Sequence, residues 1–410
     1  MVPNGWKLTS LGEVCSGNLQ TGPFGSQLHA HEYTEEGIPV LMPKDLISQR
    51  ADYKSAAKIP ANRAADLSKH FLKSGDILFS RRGDVSRFAL IEEGDEVGIC
   101  GTGCLKATPN SEHSSLFLSY FLQKNAVKRW LEQNAVGQTM PNMNTAILSE
   151  LPLMTASSKE EEDKIAKIIS VWDKAIGTTE RLIENSKQQK KALMQQLLTG
   201  KKRLFDDSGK PFEGEWEEVK LSQLVKVIGG NAFKSEEFKQ EGIPLVKISN
   251  IKPDYSICLD SAVFILENDK FEKFKVKKGH ILIAMSGATT GKVGCYQSHD
   301  FAYLNQRVGR FDVKKNRTTN RYLFQLLKLP KVQHEILIDA VGGAQPNISN
   351  KDIERIKIYV PAVDEQKKIA SVLSNADQEI EILHQQLADL KQEKKALMQQ
   401  LLTGKRRVSL

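Results

Sequence analysis

The 410-residue chain is poor in the features that mark several protein classes. Its five cysteines, Cys15, Cys100, Cys104, Cys258 and Cys295, are odd in number and form no C-x-x-C pair. That excludes a disulfide framework and makes a reducing cytoplasmic setting the expectation. No apolar run approaches the ~18–20 residues of a membrane span, and the opening Met1-Val2-Pro3-Asn4-Gly5-Trp6 lacks the regions of a secretory signal, so neither export nor membrane insertion is expected. Neither charge sign dominates: 58 Lys+Arg against 50 Asp+Glu leave +8. This balance is compatible with an acidic partner such as nucleic acid but does not require one.

Catalytic motifs are also missing. Gly287-Ala288-Thr289-Thr290-Gly291-Lys292-Val293 imitates a P-loop, but it is one residue short between glycines and has valine where a Mg²⁺-holding hydroxyl belongs. Pro253-Asp254 has no D/E-x-K behind it, and neither N-P-P-[FY] nor F-x-G-x-G occurs. His29 and His31 have no further ligands at metal spacing, and neither do Cys100 and Cys104. No catalytic residue, metal or cofactor is expected in this chain.

What the chain does have is an internal repeat. Residues 190–203 read KKALMQQLLTGKKR and residues 394–407 read KKALMQQLLTGKRR, so 13 of 14 positions agree at an offset of 204. Echoes of that offset run upstream. Gly75-Asp76-Ile77-Leu78 matches Gly279-His280-Ile281-Leu282, Asp173 matches Asp377, and Pro141-Asn142 matches Pro346-Asn347 after a one-residue slip. Trp6 and Trp216 open the two halves. The order is domain (1–156), helix (157–203), domain (204–360), helix (361–410), with near-identical helix ends and divergent domains.

The helical segments carry an alternating four–three apolar spacing. The first has Ile165, Ile169, Trp172, Ile176, Ile183, Leu193 and Leu197; the second has Ile369, Leu373, Ile380, Leu383, Leu387, Leu390, Leu397 and Leu401. That spacing predicts a coiled-coil seam. Ser158 with Glu161 predicts a capping box, and Gly200 and Gly404 predict the C-terminal stops. Because the second domain begins where the first helix ends, the helices are expected to pair antiparallel, each seam covering the other. Lys190 and Lys394 fall on the seam, Lys394 opposite Trp172. Snorkelling outward is the expectation for both, with stacking of Lys394 on Trp172 as the alternative.

The domains read as α+β. Predicted strands are Ile38–Leu41, Ile77–Phe79, Phe88–Ile91 and Val97–Cys100, then Ile243–Ile248, Ile281–Met285 and Val293–Tyr296. Helices are predicted over 114–133 and over 318–338, the latter broken at Pro330.

Polar loops at matched places suit DNA. Phe24, Ser26 and Gln27 correspond to Asn231 and Lys234. Arg81, Arg82 and Arg87 correspond to Ser286, Thr289, Thr290 and Lys292. Gln138 and Asn142 correspond to Gln345 and Asn347. Arginine suits guanine and Asn/Gln suits adenine, while small residues allow close backbone approach. Arg307, Arg310, Lys314, Lys315 and Arg317 are expected to meet phosphates.

These residues carry a family resemblance. The opening Trp6…Leu11-Gly12-Glu13-Val14, the loop TGPFGSQ, GDILFSRRG with GHILIAMSG, VGQTMPN with VGGAQPN, and the helices from VDEQKKIA to QQLLTGK resemble a type I restriction–modification specificity subunit over essentially the whole chain. The first helix departs from the usual EQ start, with Glu160–Asp163 in its place. The resemblance implies two target recognition domains joined by two long antiparallel coiled-coil helices in a pseudo-twofold repeat, each domain reading half of a bipartite, asymmetric DNA site. It also implies helices that set the spacing and dock two methyltransferase subunits carrying S-adenosylmethionine, and two ATP- and Mg-dependent restriction/translocase subunits. A specificity subunit of a related phage-defence methylation system and a self-sufficient restriction or methylation enzyme are the alternatives, the latter disfavoured by the missing motifs.

Overall fold

A computed structural model of the chain describes residues 2–24, 27–137, 141–338 and 346–409. It separates into two compact units, residues 1–179 with 386–410, and residues 180–385. Each unit therefore contains one domain and a stretch of each long helix.

In the first unit the domain begins and ends on one strand pair. Lys7–Ser10 runs antiparallel to Pro152–Thr155. An antiparallel sheet follows in the order Leu19–Thr21, Cys104–Ala107, Ile77–Ser80, Phe88–Leu90. A second sheet orders Ala57–Ile59, Ile38–Leu41 and Ile99–Cys100, with the last two strands parallel. The apolar run at Ile77–Ser80 has a physical reason. Ile77 and Phe79 face one core with Trp6, Phe117 and Leu148, while Leu78 faces another with Leu41 and Cys100. A strand covered on both faces reads as continuously apolar.

The second unit repeats this plan. Glu217–Lys220 pairs with Lys357–Val360, and the main sheet runs Val225–Gly229, Val308–Val313, Ile281–Ala284, Val293–Cys295. Ile281 and Ile283 face one core, and Leu282 and Ala284 another. The second sheet, Val263–Ile265, Ile243–Val246, Ala302–Leu304 and Lys275–Val276, has one more strand than its counterpart.

Several boundaries differ from the sequence expectation. Only Ile99–Cys100 of the 97–100 run is strand, and Val97 is exposed. The 243–248 run stops at Val246, where a 3-10 turn, Ile248–Asn250, takes over. The helix expected over 114–133 is two helices, Ser115–Leu122 and Asn125–Asn134, because Lys124 turns extended (φ −65°, ψ 136°) and its ammonium folds over the Phe121 ring at 4.2 Å. The second domain breaks at the same place, giving Asn320–Leu327 and Pro330–Ile338. The break thus belongs to the shared fold, and Pro330 accommodates it at a helix start, where a missing N–H costs nothing.

The long helices are Lys159–Leu197 and Val363–Leu401, each 39 residues and so ~58 Å long. Every named seam residue is buried or half-buried. The seams do not rely on each other alone. Ile165, Ile169 and Leu401 sink into the first domain's main core, and Leu197, Ile369 and Leu373 into the second's. The starting turns of one helix and the closing turns of the other thus share a domain core.

Contacts at both ends fix the antiparallel sense. In the first unit Arg407 donates to both oxygens of Glu161 (2.6 and 2.9 Å); in the second Arg203 does the same to Glu365 (both 2.7 Å). Both glutamates are 1% exposed. Burial pushes the Glu161 carboxyl upward, but the bonds from Arg407 and Ser157 outweigh it and hold it below its ordinary value. The expected capping box is therefore only half formed. Ser158 Oγ accepts from Glu161 N–H (3.4 Å), while the Glu161 carboxylate turns to Ser157 and Arg407. Each stop glycine has positive φ, +71° at Gly200 and +63° at Gly404, and lies against an opening tryptophan, Trp216 and Trp6 respectively.

The seam lysines behave unlike either expectation. Lys394 and Lys190 neither stack on Trp172 nor snorkel outward. They pair with Asp173 and Asp377, Asp173 lying one residue past the Trp172 that Lys394 was expected to face, and their side chains are only 16% and 14% exposed. Two desolvated ammonium groups need a carboxylate more than an aromatic face.

Candidate nucleic-acid interface

In each domain four loop segments meet at the end of the main sheet, held by the same backbone bonds. In the first, Gly22 N–H donates to Cys104 O (3.0 Å), Arg81 N–H to Gly103 O (2.8 Å), Gly83 N–H to Pro141 O (3.2 Å) and Met143 N–H to Arg81 O (2.8 Å). In the second, Gly230 N–H donates to Val308 O (3.1 Å), Met285 N–H to Arg307 O (2.9 Å), Gly287 N–H to Pro346 O (3.0 Å) and Ile348 N–H to Met285 O (2.9 Å). The bridges Arg82–Asn142 and Ser286–Asn347 complete the correspondence. Two glycines are needed for this approach. A Cβ at Gly22 would lie 1.8 Å from Gly101 O, and one at Gly230 would lie 2.0 Å from Asn305 O.

On this shared backbone the side chains differ. The first domain gathers Phe24, Arg81, Arg82 and Asn142. Phe24 is 53% exposed, and the Arg81 guanidinium lies over its ring at 5.6 Å. Arg81 Nε and Asn142 Oδ1 are buried without a partner among the described residues. In the second domain Ser286, Gln306, Arg307 and Asn347 line a cavity of about 440 Å³. Ser286 is 4% exposed, and its Oγ and the Thr289 Oγ1 have no partner among the described residues. Buried polar atoms left unpaired are costly, so a ligand that pairs them gains affinity.

One exchange sets the two apart. The backbone pair occupied by Arg81 and Gly103 in the first domain is occupied by Met285 and Arg307 in the second. Each junction carries one guanidinium there, delivered from opposite strands.

Other predicted residues are tied up locally. Arg87 pairs with Asp84 (3.1 Å), and the Ser86 hydroxyl together with Arg87 holds the Asp84 carboxyl below its ordinary value despite burial. Gln27 Oε1 accepts from Phe24 N–H (3.1 Å), which shapes its own turn. Thr290 donates to Gly287 O (2.7 Å) and Pro346 O (3.1 Å). Asn231 is half-buried, its N–H bonded to Leu304 O, and Lys234 and Arg307 are exposed. Lys292 is half-buried in the turn after Gly287–Thr289, and a strand follows it, whereas a P-loop opens a helix. Arg310 is bound to Asp312 (2.6 and 2.8 Å), Lys314 to Ser222 O (2.9 Å) and Arg317 to Glu217 (2.8 Å), so three of the five expected phosphate partners already have carboxylates or carbonyls; Lys315 is exposed. Ser26, Gln138 and Gln345 lie outside the described residues.

Gly101-Thr102-Gly103 and Asn305-Gln306, which are not among the residues expected to meet DNA, form the fourth segment. The offset of 204 aligns Gly101-Thr102-Gly103 with Asn305-Gln306-Arg307 and was the available signal. The cysteines flanking the first stretch drew attention to metal chemistry. Both are buried, and burial pushes the Cys100 thiol up to about 12. Among the described residues no three His, Cys, Asp or Glu side chains gather as metal ligands, and the His29 and His31 rings simply stack, 5.5 Å apart.

Comparison with known proteins covers most of the chain. The family described as type I restriction modification DNA specificity domain matches twice, at residues 3–187 and 213–392. The MjaVIII specificity subunit of Methanocaldococcus jannaschii is 32% identical over 311 residues, 73% of this chain and 72% of that one. A putative MjaX specificity subunit from the same organism is 27% identical over 433 residues, 99% of this chain and 95% of that one. Among solved structures, the S subunit of a type I system from M. genitalium has a TM-score of 0.61 at 18% identity, covering 100% and 98% of the two chains. The HsdS subunit from Thermoanaerobacter tengcongensis has 0.52 at 18%, covering 98% of each. At these identities the structural likeness speaks for the fold.

Proposed function

The chain belongs to the type I restriction–modification DNA specificity family, the non-catalytic DNA-recognising subunits of those systems, and from that premise we propose how it divides the work of recognition. Each domain reads one half of a bipartite, asymmetric site in double-stranded DNA. The long helices set the spacing of the half-sites and dock two methyltransferase subunits. S-adenosylmethionine is bound by those partners, and two restriction/translocase subunits supply ATP- and Mg-dependent cleavage. The assembly works in the cytoplasm; among the described residues no helix is long and apolar enough to cross a membrane.

The observation that carries this reading is the repeated junction. Two loop clusters built on the same backbone bonds carry different side chains, as expected for two readers of different sequences. Phosphate contacts would supply most of the affinity and make it salt-sensitive, while the junction side chains would supply the discrimination. Sequencing the methylome of the host with and without the gene tests it. The expected result is one bipartite motif with two unlike halves that vanishes when the gene is removed. A palindromic motif, or none, would overturn the reading.

A further inference from the structure

Two repeat-related aspartates each tie three elements together. In the first unit Asp173, on the first long helix, accepts from the Tyr120 hydroxyl of the domain (Oη–Oδ2 2.7 Å) and from Lys394 Nζ of the second long helix (2.5 Å). The Lys394 ammonium also lies 5.5 Å from the centre of the Tyr120 ring. In the second unit Asp377, on the second long helix, accepts from Gln325 Nε2 of the domain (2.7 Å) and from Lys190 of the first long helix. Lys328 of the same domain stands 3.7 Å from Asp377, with its ammonium over the rings of Phe324 (3.8 Å) and Tyr255 (4.8 Å).

These knots are duplicated in position but not in chemistry. Asp173 and Asp377, like Lys190 and Lys394, are 204 residues apart. Tyr120 and Gln325 occupy the same place in the matched helices Ser115–Leu122 and Asn320–Leu327. A phenol in one domain and an amide in the other do the same task, reaching from the domain to a seam carboxylate. Hydrogen bonds to a charged acceptor are directional and roughly twice as strong as neutral ones. Apolar packing in the shared cores holds the domain on the helices but resists sliding and rotation less selectively. Each aspartate also sits where both helices and the domain meet, so its bonds to the domain and to the other helix fix the domain's angle and the seam register together.

We propose that Asp173 and Asp377 are positioning residues that lock each reading domain onto its stretch of the helix pair, and thereby set how strictly the half-site spacing is enforced. This rests on the bipartite reading above. Tyr120→Phe removes the first domain's arm and Gln325→Leu the second domain's hydrogen bond, Lys328 still standing against Asp377, and both leave the lysine–aspartate pair of the seam in place. Asp377→Asn weakens the whole second knot.

The test is the methylome of cells expressing the full-length variants within the assembled system, with thermal melting of the purified chains alongside. The expected result for Tyr120→Phe and Gln325→Leu is unchanged half-sites, near-unchanged melting, and about a tenfold rise in methylation at motifs whose spacer is one base pair longer or shorter. Asp377→Asn should relax spacing further. Lys394→Met, which cuts the seam arm instead, should lower melting as well as relax spacing. Spacing as strict as wild type in the two arm variants would overturn the proposal, as would uniform loss of methylation at all spacings by chains that melt normally. Absence of any bipartite motif in the wild-type host would instead strike the underlying reading.

Discussion

The two domains make an internal comparison: one backbone plan and two surfaces. Every bond that shapes the loop junction recurs 204 or 205 residues later, apart from the slipped Gly22–Gly230 pair, yet the side chains presented there have little in common. The first domain offers Phe24 stacked by Arg81; the second offers a polar cavity with Ser286, Gln306, Arg307 and Asn347. The lesson is that backbone hydrogen bonds and two glycines hold the frame. The frame therefore carries two unlike sets of side chains on the same backbone bonds.

Substitutions can break or sharpen this contrast. The largest effect is expected where the frame itself is struck. Gly22→Ala and Gly230→Ala force a Cβ against a backbone oxygen, so each should cost on the order of 4 kcal/mol in chemical denaturation, equally in both domains. If one domain tolerates its alanine, the frames are less alike than their bonds suggest.

The next effect should be larger in the second domain than in the first. Burial pulls the Lys328 ammonium down from its ordinary 10.5 to about 8, with Asp377 opposing in part. Between pH 8 and 10.5 the unfolded chain therefore holds more protons than the folded one, and stability rises with pH. The burial penalty is complete below pH 8 and gone above 10.5. Relative to Lys328→Met, the wild-type chain should gain up to about 3 kcal/mol between pH 7.5 and 10 in urea unfolding. Against Lys124→Met the gain should have the same sign but be smaller, because burial lowers that lysine too.

A smaller, symmetric loss is expected at the helix ends. Glu161→Ala and Glu365→Ala each leave an arginine without its carboxylate and should cost about 2 kcal/mol, the two agreeing within about 0.5 kcal/mol. A large inequality in calorimetry would show that the two units are not clamped alike.

The smallest effects test reading itself. Arg81→Ala and Arg307→Ala should each weaken binding to the methylated motif by about tenfold, ~1.4 kcal/mol. The sharper readout is in competition with DNA carrying one randomised half-site. Each variant should lose discrimination in one half only, and not the same half. Losses in both halves would assign these arginines to phosphates.

Much of the fold was legible in the sequence because it is written in periodicity. The four–three seam marks the long helices, and unbroken apolar runs at Ile77 and Ile281 mark strands covered on both faces. Short strands such as Leu19–Thr21 and Ala302–Leu304 carried no pattern, since two or three residues are too few to show a period and their register comes from neighbours far along the chain. The candidate site was legible in part. Its loops are legible by matching across the repeat, but Asn305 and Gln306 fall outside the matched loops, and whether Arg87 and Arg310 turn to their near neighbours Asp84 and Asp312 or outward is decided by local conformation rather than by spacing.

The sequence by itself determined the repeat, the helix pairing and the likeness of the two domains, because covalent order, apolar period and helix stops act locally or at one fixed offset. Only the tertiary structure decided where the charges go. A seam lysine can meet water, an aromatic ring or a carboxylate at nearly the same distance along the helix. The choice fell to Asp173 and Asp377 because burial leaves an ammonium in need of a counter-charge, and the domain helices supply the remaining partner. The same holds at the reading junction, where side chains hundreds of residues apart meet because the backbones beneath them are bonded together.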